Sequence, residues 1–233
     1  MRQFHPLTVE AITRETADAV SIIFHVPREL QDVFHYNQGQ HVVLKTLVNG
    51  EELRRNYSIC ASRAENRLRV AVKRVQGGRF SSFANEVLKV GDVLDVFPPS
   101  GHFYTDLKAQ NAHSYVAFAG GSGITPILSI IKTTLEEEPL SRFTLCYGNR
   151  NAPSIIFLEE LANLKNRFMG RLEIFHFLEE EEDEITLFNG RLDADKIKGL
   201  LAQVIDAPSI DRFFICGPGP MMDAAEAALK EVG

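Results

Sequence analysis

The sequence predicts two domains: an all-β domain followed by an α/β domain with a parallel sheet. The first half consists of short segments rich in β-branched residues with turn signals between them, which is typical of a sandwich or a barrel. The second half alternates apolar strands with helical patterns, which indicates right-handed crossovers. The polar stretch Thr105 to His113 separates the halves, so we expect domains at 1–108 and 112–233.

The first half has six segments with the pattern of strands. In chain order they are LTVEAITRET, AVSIIFHVP, QHVVLKTLV, LRRNYSIC, RLRVAVKRV and DVLDVFPP. Turn-forming sequences such as NQGQ, VNGEE and PPSG separate several of them. We predict one helix, RFSSFANEVL, between the fifth and sixth strands.

The second half has four strand and helix pairs. The predicted strands are HSYVAFAGG, RFTLCYGN, RLEIFHFLE and RFFICGPG, and the predicted helices are TPILSIIKTTLEEE, SIIFLEELANLKNRF, DADKIKGLLAQV and PMMDAAEAALKEV. Between the third strand and its helix lies the acidic run EEEEDE, which we interpret as a solvated loop.

The composition excludes several classes of protein. A formal net charge of -6 gives no indication of nucleic-acid binding, and no apolar run approaches the length of about eighteen residues that a membrane helix needs. Only three cysteines are present, Cys60, Cys146 and Cys216, so neither a disulfide framework nor a four-cysteine metal site is available. The histidines are scattered. We therefore expect no metal and a reducing, cytoplasmic location.

A glycine-rich turn follows the first strand of the second half. Gly120, Gly121 and Gly123 allow the backbone to turn tightly and to approach a ligand closely. Thr125 and Pro126 resemble an N-cap and a first helical residue, and a helix N-terminus suits a pyrophosphate. The turn lacks the last glycine of the dinucleotide fingerprint, so a purely structural turn stays open as an alternative.

The last strand ends in Cys216, Gly217 and Pro218. Ligands of parallel sheets bind at the carboxyl ends of the strands, so this end is expected to face the same crevice as the glycine turn. A small thiol there would contact a flat ring without blocking it. The alternative is a buried core thiol, which is common for cysteine.

The fourth strand carries a cation, an aromatic ring and a hydroxyl in the sequence RRNYSIC. Alternation places Arg55 and Tyr57 on one face and Ser58 on the other. We interpret Arg55 as a pyrophosphate ligand, Tyr57 as a stacking partner for a flavin, and Ser58 as a contact of the flavin N5 edge. An ordinary half-exposed strand is the alternative.

The sequence QGGRFSSF indicates a second anion site. Gly78 precedes a predicted helix start, with Ser81 and Ser82 close by, so backbone N–H groups and hydroxyls are available for pyrophosphate oxygens. An ordinary capped helix would have the same pattern.

The segment after the second parallel strand indicates which dinucleotide binds. Arg150 and Ser154 lie there, with no acidic residue before Glu159. An arginine and a hydroxyl suit a 2′-phosphate, so we predict NADPH in preference to NADH. The alternative for Arg150 is a loop cation without a ligand.

Four motifs, RNYS, GGRFSSF, GGSGITP and CGPGPMM, occur in the order and spacing of the ferredoxin–NADP reductase superfamily. The sequence resembles that family over essentially its whole length. Within the family it is similar to the reductase components of phenylacetyl-CoA oxygenase-type systems.

The resemblance implies a six-stranded antiparallel Greek-key barrel that binds FAD and a Rossmann-like domain that binds NAD(P). It also implies hydride transfer to the flavin and release of single electrons to a [2Fe–2S] ferredoxin-type acceptor that serves an oxygenase component. Tyr57, Ser58 and Cys216 would be the catalytic residues. A free-standing flavin or ferredoxin reductase and a non-catalytic FAD electron-transfer subunit stay open as alternatives.

The sequence departs from these relatives in two ways. It lacks the C-x4-C-x2-C spacing of a plant-type ferredoxin domain, so we expect no iron–sulfur cluster on this chain. It also lacks the strand that usually follows the last helix. We expect either a shortened chain or a gene without its own electron-transfer module.

Overall fold

The computed structural model describes residues 3–182 and 184–232. The chain divides into two compact units. The first contains the chain up to Asp106 together with Leu128–Thr133, and the second contains Leu107–Ile127 and the chain from Thr134 onward.

The first unit is built on a six-stranded antiparallel sheet. Its strands are β1 (His5–Thr16), β2 (Ala19–His25), β3 (His41–Val48), β4 (Glu51–Ser58), β5 (Leu68–Lys73) and β6 (Val93–Ser100). They lie in the order β4-β3-β6-β1-β2-β5. An antiparallel bridge between Ile59 and Val70 joins the two edges of this sheet. The prediction of an antiparallel β-domain is confirmed. Because its two edge strands are joined, the domain is a barrel and not a sandwich.

Alternation along the strands explains the core of the barrel. In β1, for example, Leu7 and Val9 are buried, whereas Pro6, Thr8 and Glu10 are exposed. Full burial of one such side chain contributes about 1.5–3 kcal/mol relative to leaving it in water. The pattern that predicted the strands from the sequence is therefore also the pattern that fills the barrel.

Helix α1 (Arg79–Glu86) is held against the barrel by apolar and polar contacts. Phe80 and Ala84 are buried, and the amide nitrogen of Asn85 donates to the carbonyl oxygens of Val72 (3.0 Å) and Ser81 (2.9 Å). The glycine-containing segment before α1 is consequently fixed relative to β4 and β5.

The second unit contains a four-stranded parallel sheet. Its strands are β7 (Ser114–Gly120), β8 (Arg142–Asn149), β9 (Leu172–Leu178) and β10 (Arg212–Cys216), in the order β10-β7-β8-β9. The helices in this half of the chain are α2 (Ile124–Glu137), whose residues Leu128–Thr133 are counted with the first unit, α3 (Leu158–Arg167), α4 (Ala194–Gln203) and α5 (Gly219–Val232). The predicted alternation of strands and helices is confirmed.

The strand register brings the carboxyl ends of three strands together. Ala119 of β7 pairs with Cys216 of β10, and Gly120 pairs with Gly148 of β8. The segments that leave these strands therefore lie side by side at one edge of the sheet, where parallel sheets bind their ligands.

Helix α3 begins later than the sequence predicts. The prediction placed its start at Ser154, but the chain forms a short 3₁₀ turn over Ala152–Ser154 and α3 begins at Leu158. Phe157 has a φ of 65°, a left-handed conformation that interrupts the helical path.

No helix in the described part of the chain is long and apolar enough to cross a membrane.

Candidate functional site

Arg55 and Tyr57 lie on one face of β4, as the alternation predicts. Their partners on β3 are Leu44 and Val42, both fully buried. Tyr57 is half-buried on this face, whereas Arg55 reaches solvent. The Tyr57 ring lies 5.4 Å from the Phe80 ring of α1, measured between centroids. Burial raises the pKa of Tyr57 to about 12, against a smaller lowering by the Arg55 charge, so its phenol is neutral at physiological pH.

The Arg55 guanidinium is exposed and has no carboxylate partner among the described residues. Its only observed hydrogen bond in that part of the chain runs from Nη1 to the carbonyl oxygen of Arg54, at 2.7 Å. The neighbouring Arg54, in contrast, is paired with Glu52. Arg55 is therefore a cation available for an anionic group, which fits the prediction of a pyrophosphate ligand.

Ser58 is the last residue of β4 and pairs with His41 of β3. It is half-buried, and its hydroxyl has no hydrogen-bond partner among the described residues. The hydroxyl is thus free to donate to or accept from a ligand atom.

Two serines lie in the first turn of α1, and the hydroxyl of one of them closes the turn before the helix. Ser81 donates to the carbonyl oxygen of Gly78 and accepts from the Val75 N–H, both at 3.1 Å, and it is buried. The Ser82 N–H also donates to the Gly78 carbonyl, at 2.9 Å. Ser81 therefore fixes the shape of the turn, and the half-buried Ser82 hydroxyl is the freer of the two.

A cleft of about 550 Å³ lies beside this turn. It is lined by Gly77, Gly78, Arg79 and Ser82 and by residues of the β3–β4 hairpin. The sequence did not lead us to predict a role for Arg79, which forms an ion pair with Glu51. The sequence nevertheless contains a signal for such a role, because this basic residue directly follows the Gly-Gly pair and occupies the first position of α1.

In the second unit, Gly120 ends β7, and Gly121–Gly123 form a single 3₁₀ turn that leads directly into α2. Gly121 has a φ of 50°, which glycine adopts at little cost. The prediction that Thr125 caps the helix is wrong, because α2 begins at Ile124. Thr125 lies inside the first turn, where its hydroxyl donates to the Ser122 carbonyl at 3.0 Å.

The glycine turn and the end of β10 are in close contact. A methyl group on Gly123 would collide with the Cys216 carbonyl, and one on Gly120 would lie 2.7 Å from Cδ of Pro218. A methyl group on Gly217 would lie 2.9 Å from the Gly120 nitrogen. The structure therefore brings the two predicted segments together, and the absence of side chains at these three glycines is what permits it.

Cys216 differs from the other two cysteines. Cys60 and Cys146 are buried, whereas Cys216 is only partly covered. Burial raises the pKa of the Cys216 thiol above its ordinary value, so the group is an uncharged thiol at physiological pH. It offers a small neutral surface at the carboxyl end of β10.

Tyr147 supports the glycine turn and was not predicted from the sequence. Its hydroxyl donates to the Gly121 carbonyl at 2.9 Å, and its ring is fully buried in β8. Burial raises the pKa of this phenol, so it stays a hydrogen-bond donor. A tyrosine inside an apolar strand gave no sequence signal of this long-range contact.

The segment after β8 contains Arg150 and Ser154. The Arg150 side chain is exposed and has no partner in the described part of the chain. Ser154 is buried, and its hydroxyl donates to the Asn151 carbonyl at 2.7 Å and accepts from the Asn151 N–H at 3.2 Å. Ser154 therefore closes its own turn, which leaves Arg150 as the free polar group that the sequence predicted here.

Asn149, at the end of β8, carries a buried amide whose hydrogen bonding is incomplete. The residue is 6% exposed, and among the described residues neither polar atom of its amide makes a hydrogen bond of good geometry, although the side chain interacts with the Tyr147 hydroxyl. Buried polar groups without partners are rare and call for a specific explanation.

Metal-binding side chains do not cluster in the described residues: no group of three His, Cys, Asp or Glu side chains is placed to hold an ion there.

Two family models match the chain. The oxidoreductase FAD-binding domain matches residues 6–104, and the oxidoreductase NAD-binding domain matches residues 118–227. The chain belongs to the ferredoxin reductase family. It carries the FAD-binding and NAD(P)-binding domains of this family, which confirms the resemblance inferred from the four sequence motifs.

Two curated relatives of this ferredoxin reductase-family chain are informative. It is 47% identical to a component of the 1,2-phenylacetyl-CoA epoxidase of Escherichia coli, over all of this chain and 65% of the relative. It is 36% identical to the ferredoxin reductase component of 3-ketosteroid-9-alpha-monooxygenase from Rhodococcus rhodochrous, over 97% of this chain and 61% of the relative. The chain thus spans less than two thirds of the length of these relatives.

A solved structure shows the same fold. The FAD/NAD-binding domain of nitric oxide dioxygenase from Vibrio cholerae matches all of this chain and 94% of that domain, with a TM-score of 0.85 at 23% identity. The two-domain fold class predicted from the sequence is therefore confirmed.

Proposed function

We propose that this chain is an NAD(P)H-dependent flavoprotein reductase. It takes a hydride from the dinucleotide onto FAD and passes single electrons to a [2Fe–2S] ferredoxin-type acceptor, as the reductase component of a phenylacetyl-CoA oxygenase-like system. The observation that carries this proposal is the glycine cradle formed by Gly120, Gly123 and Gly217 at the carboxyl ends of β7 and β10. We assign FAD binding to residues 1–108 and dinucleotide binding to residues 112–233.

The residues of the first unit fit a flavin dinucleotide. When bound, FAD supplies hydride acceptance and one-electron release. Arg55 would hold its pyrophosphate by charge-assisted, forked hydrogen bonds, and the neutral Tyr57 ring would stack against its planar ring system. Ser58 would contact the N5 edge. Gly78, Ser81 and Ser82 would shape and line a second pyrophosphate contact at the start of α1.

The residues of the second unit fit a nicotinamide dinucleotide. Gly120, Gly121 and Gly123 let the backbone approach a pyrophosphate at the 3₁₀ turn that leads into α2, and Thr125 would contribute from the first turn of that helix. The remaining contacts would come from the end of β10, from Cys216, Gly217 and Pro218. Because the Cys216 thiol is uncharged, it would guide the nicotinamide ring without placing a charge beside it.

The choice of NADPH over NADH rests on Arg150. A guanidinium that has no partner among the described residues, in the segment after β8, suits the 2′-phosphate of NADPH. Ser154 would contribute through the shape of its turn, since its hydroxyl is already engaged. We also propose a cytoplasmic location and an oxygenase component as the final partner.

Steady-state turnover tests this proposal. The full chain is loaded with FAD, and the oxidation of NADPH and of NADH is measured with ferricyanide and, separately, with a [2Fe–2S] ferredoxin as the acceptor. We expect both acceptors to be reduced, with NADPH as the better donor.

Other results would select the alternatives. Reduction of ferricyanide but not of any ferredoxin would indicate a free-standing flavin reductase. A chain that binds FAD but oxidises neither dinucleotide would be an electron-transfer subunit, and the proposed activity would then be wrong.

A further inference from the structure

A cavity of about 260 Å³ lies in the first unit, and none of its lining residues has been assigned to a cofactor. Its walls come from β1, from β2 and the segment that follows it, and from the loop between β4 and β5. The space equals the volume of about nine water molecules in the liquid. It therefore suits a small molecule better than a segment of polypeptide.

Core side chains form the apolar part of this cavity. Phe24, Phe34 and Leu68 line it, and each of them is at most 4% exposed. Phe24 and Leu68 are paired across β2 and β5, so the barrel itself fixes their positions. A recess that reaches core side chains offers apolar contact to a ligand on more than one side, as small-molecule sites do.

Hydrogen bonds hold the loop between β4 and β5 that forms one wall. The Ser62 and Glu65 side chains form a reciprocal capping box at a 3₁₀ turn of this loop. The Tyr36 hydroxyl, from the segment after β2, donates to the carbonyl oxygens of Ser62 (2.7 Å) and Arg67 (3.2 Å). The wall is therefore formed before any ligand enters, which lowers the entropic cost of binding.

The two arginines of this wall differ in their partners. Arg63 donates from Nη1 to the side-chain oxygen of Asn37 at 3.2 Å. Arg67 is exposed, and its guanidinium forms no hydrogen bond or ion pair among the described residues. Arg67 is therefore available for a carboxylate, which a guanidinium binds through two parallel hydrogen bonds.

Glu10, the acidic residue of the cavity, lies at an irregularity in β1. The register of β1 against β2 shifts between Val9 and Ala11, so Glu10 has no paired residue on β2. Its carboxylate is exposed and forms no ion pair within the part of the chain that the structure describes. A negative charge in the cavity disfavours ligands that carry several negative charges, such as phosphate esters.

We propose that this cavity binds a small aromatic monocarboxylate. The carboxylate pairs with Arg67, and the ring lies against Phe24 and Phe34, since aromatic rings attract one another beyond the effect of buried area. Glu10 restricts the ligand to a single negative charge. The inference goes beyond the proposed function and does not depend on it.

An NMR titration of the isotope-labelled full chain with benzoate, with and without added FAD, tests this proposal. We expect saturation with a dissociation constant of about 1 mM or below, which is within reach of a ligand of this size. The amide signals of His25, Asn66 and Arg67 should shift. Benzamide has the same shape without the charge and should bind about tenfold more weakly.

Three results of this titration would overturn the proposal. The first is the absence of saturable binding, and the second is equal affinity for benzoate and benzamide. The third is a loss of benzoate binding when FAD is added, because the benzoate would then occupy the flavin site and not this cavity.

Arg67→Gln tests the assigned cation. Its affinity for benzoate should fall about tenfold, since a hydrogen-bonded charge pair is lost. Arg28→Gln is the matched control, because Arg28 is equally exposed and lies on a 3₁₀ turn nearby in sequence but does not line the cavity. Unchanged affinity in Arg67→Gln, or an equal loss in the control, would contradict the assignment.

Discussion

Arg55 shows how a single residue departs from ordinary surface chemistry. Adjacent Arg54 is neutralised by Glu52, but the partner of Arg55 among the described residues is only a carbonyl oxygen. Such an unpaired cation, next to a half-buried tyrosine, contributes little to the stability of the barrel. Its side chain is instead available to bind an anionic ligand.

We predict that Arg55→Gln weakens FAD binding. A hydrogen bond to a charged group contributes about 1.5–3 kcal/mol, so the dissociation constant should rise about ten- to a hundredfold. Fluorescence titration of the flavin measures it. Arg54→Gln is the matched control and should bind FAD like the unmodified chain, while equal losses in both variants would contradict a specific role for Arg55.

A second prediction about a single residue concerns Gly123 of the glycine cradle. In Gly123→Ala the added methyl group meets the backbone carbonyl of Cys216, which cannot move aside without displacing β10. We expect a loss of about 1–3 kcal/mol in the free energy of unfolding together with weaker dinucleotide binding. Urea unfolding and dinucleotide titration measure the two effects.

Gly219→Ala is the control for this variant, since nothing in the described chain lies within 4 Å of the added methyl group and Gly219 has no positive φ. It should leave both measurements unchanged. Undiminished stability of Gly123→Ala would show that the two segments are not packed as tightly as the structure indicates.

Among the elements, the segment that leads into β7 is anchored by Glu138 at the end of α2. The buried Glu138 carboxylate accepts from the Lys108 N–H (3.1 Å), the Asn111 amide (2.6 Å), the Tyr115 hydroxyl (2.9 Å) and the Ser141 hydroxyl (2.7 Å). Burial by itself would raise the pKa of Glu138, but the hydrogen bonds from these groups outweigh it and hold the pKa below its ordinary value.

We therefore predict that Glu138→Gln destabilises the chain by about 1–3 kcal/mol at neutral pH, because an amide cannot accept from all of these donors. A carboxylate with a lowered pKa stabilises the fold above its unfolded-state pKa, and this contribution is lost as the pH falls through the folded-state value. Urea unfolding at neutral pH and near pH 4 should show the gap between the two proteins narrowing in acid.

The exposed Glu173 on β9 provides the control. Glu173→Gln should change the stability by less than about 0.5 kcal/mol. A Glu138→Gln variant as stable as this control would rule out the anchoring role.

Periodicity predicted the strands and helices well because the same alternation that is visible in the sequence decides which face is buried. It failed at the start of α3, where the left-handed Phe157 and the 3₁₀ turn before it break a helical pattern that continues in the sequence. Local pattern carries no information about such a break.

The sequence suggested which residue types would form the candidate site, but it did not indicate how those residues contact one another. The hydroxyls of Ser81 and Ser154 are engaged within their own turns, which the sequence does not reveal. The bond from Tyr147 to Gly121 and that from Asn151 to Glu180 join segments 26 and 29 residues apart. Only the assembled sheet brings those pairs into contact.

For the whole molecule, each of the two units carries the features expected of one cofactor site. Among its described residues, the barrel offers an unpaired arginine, a neutral aromatic ring and a free hydroxyl on or at the end of one strand. The parallel sheet offers a glycine cradle and an uncharged thiol at the carboxyl ends of its strands. Together with the family assignment, these features support two-step electron transfer through a flavin.

The most direct test of this account is the reduction of bound flavin by a dinucleotide in the absence of oxygen. The full chain, loaded with FAD, should be yellow, and a stoichiometric amount of NADPH or NADH should bleach the flavin absorbance. Flavin that stays bound and fully oxidised with both dinucleotides would contradict the central claim that this chain accepts a hydride from NAD(P)H.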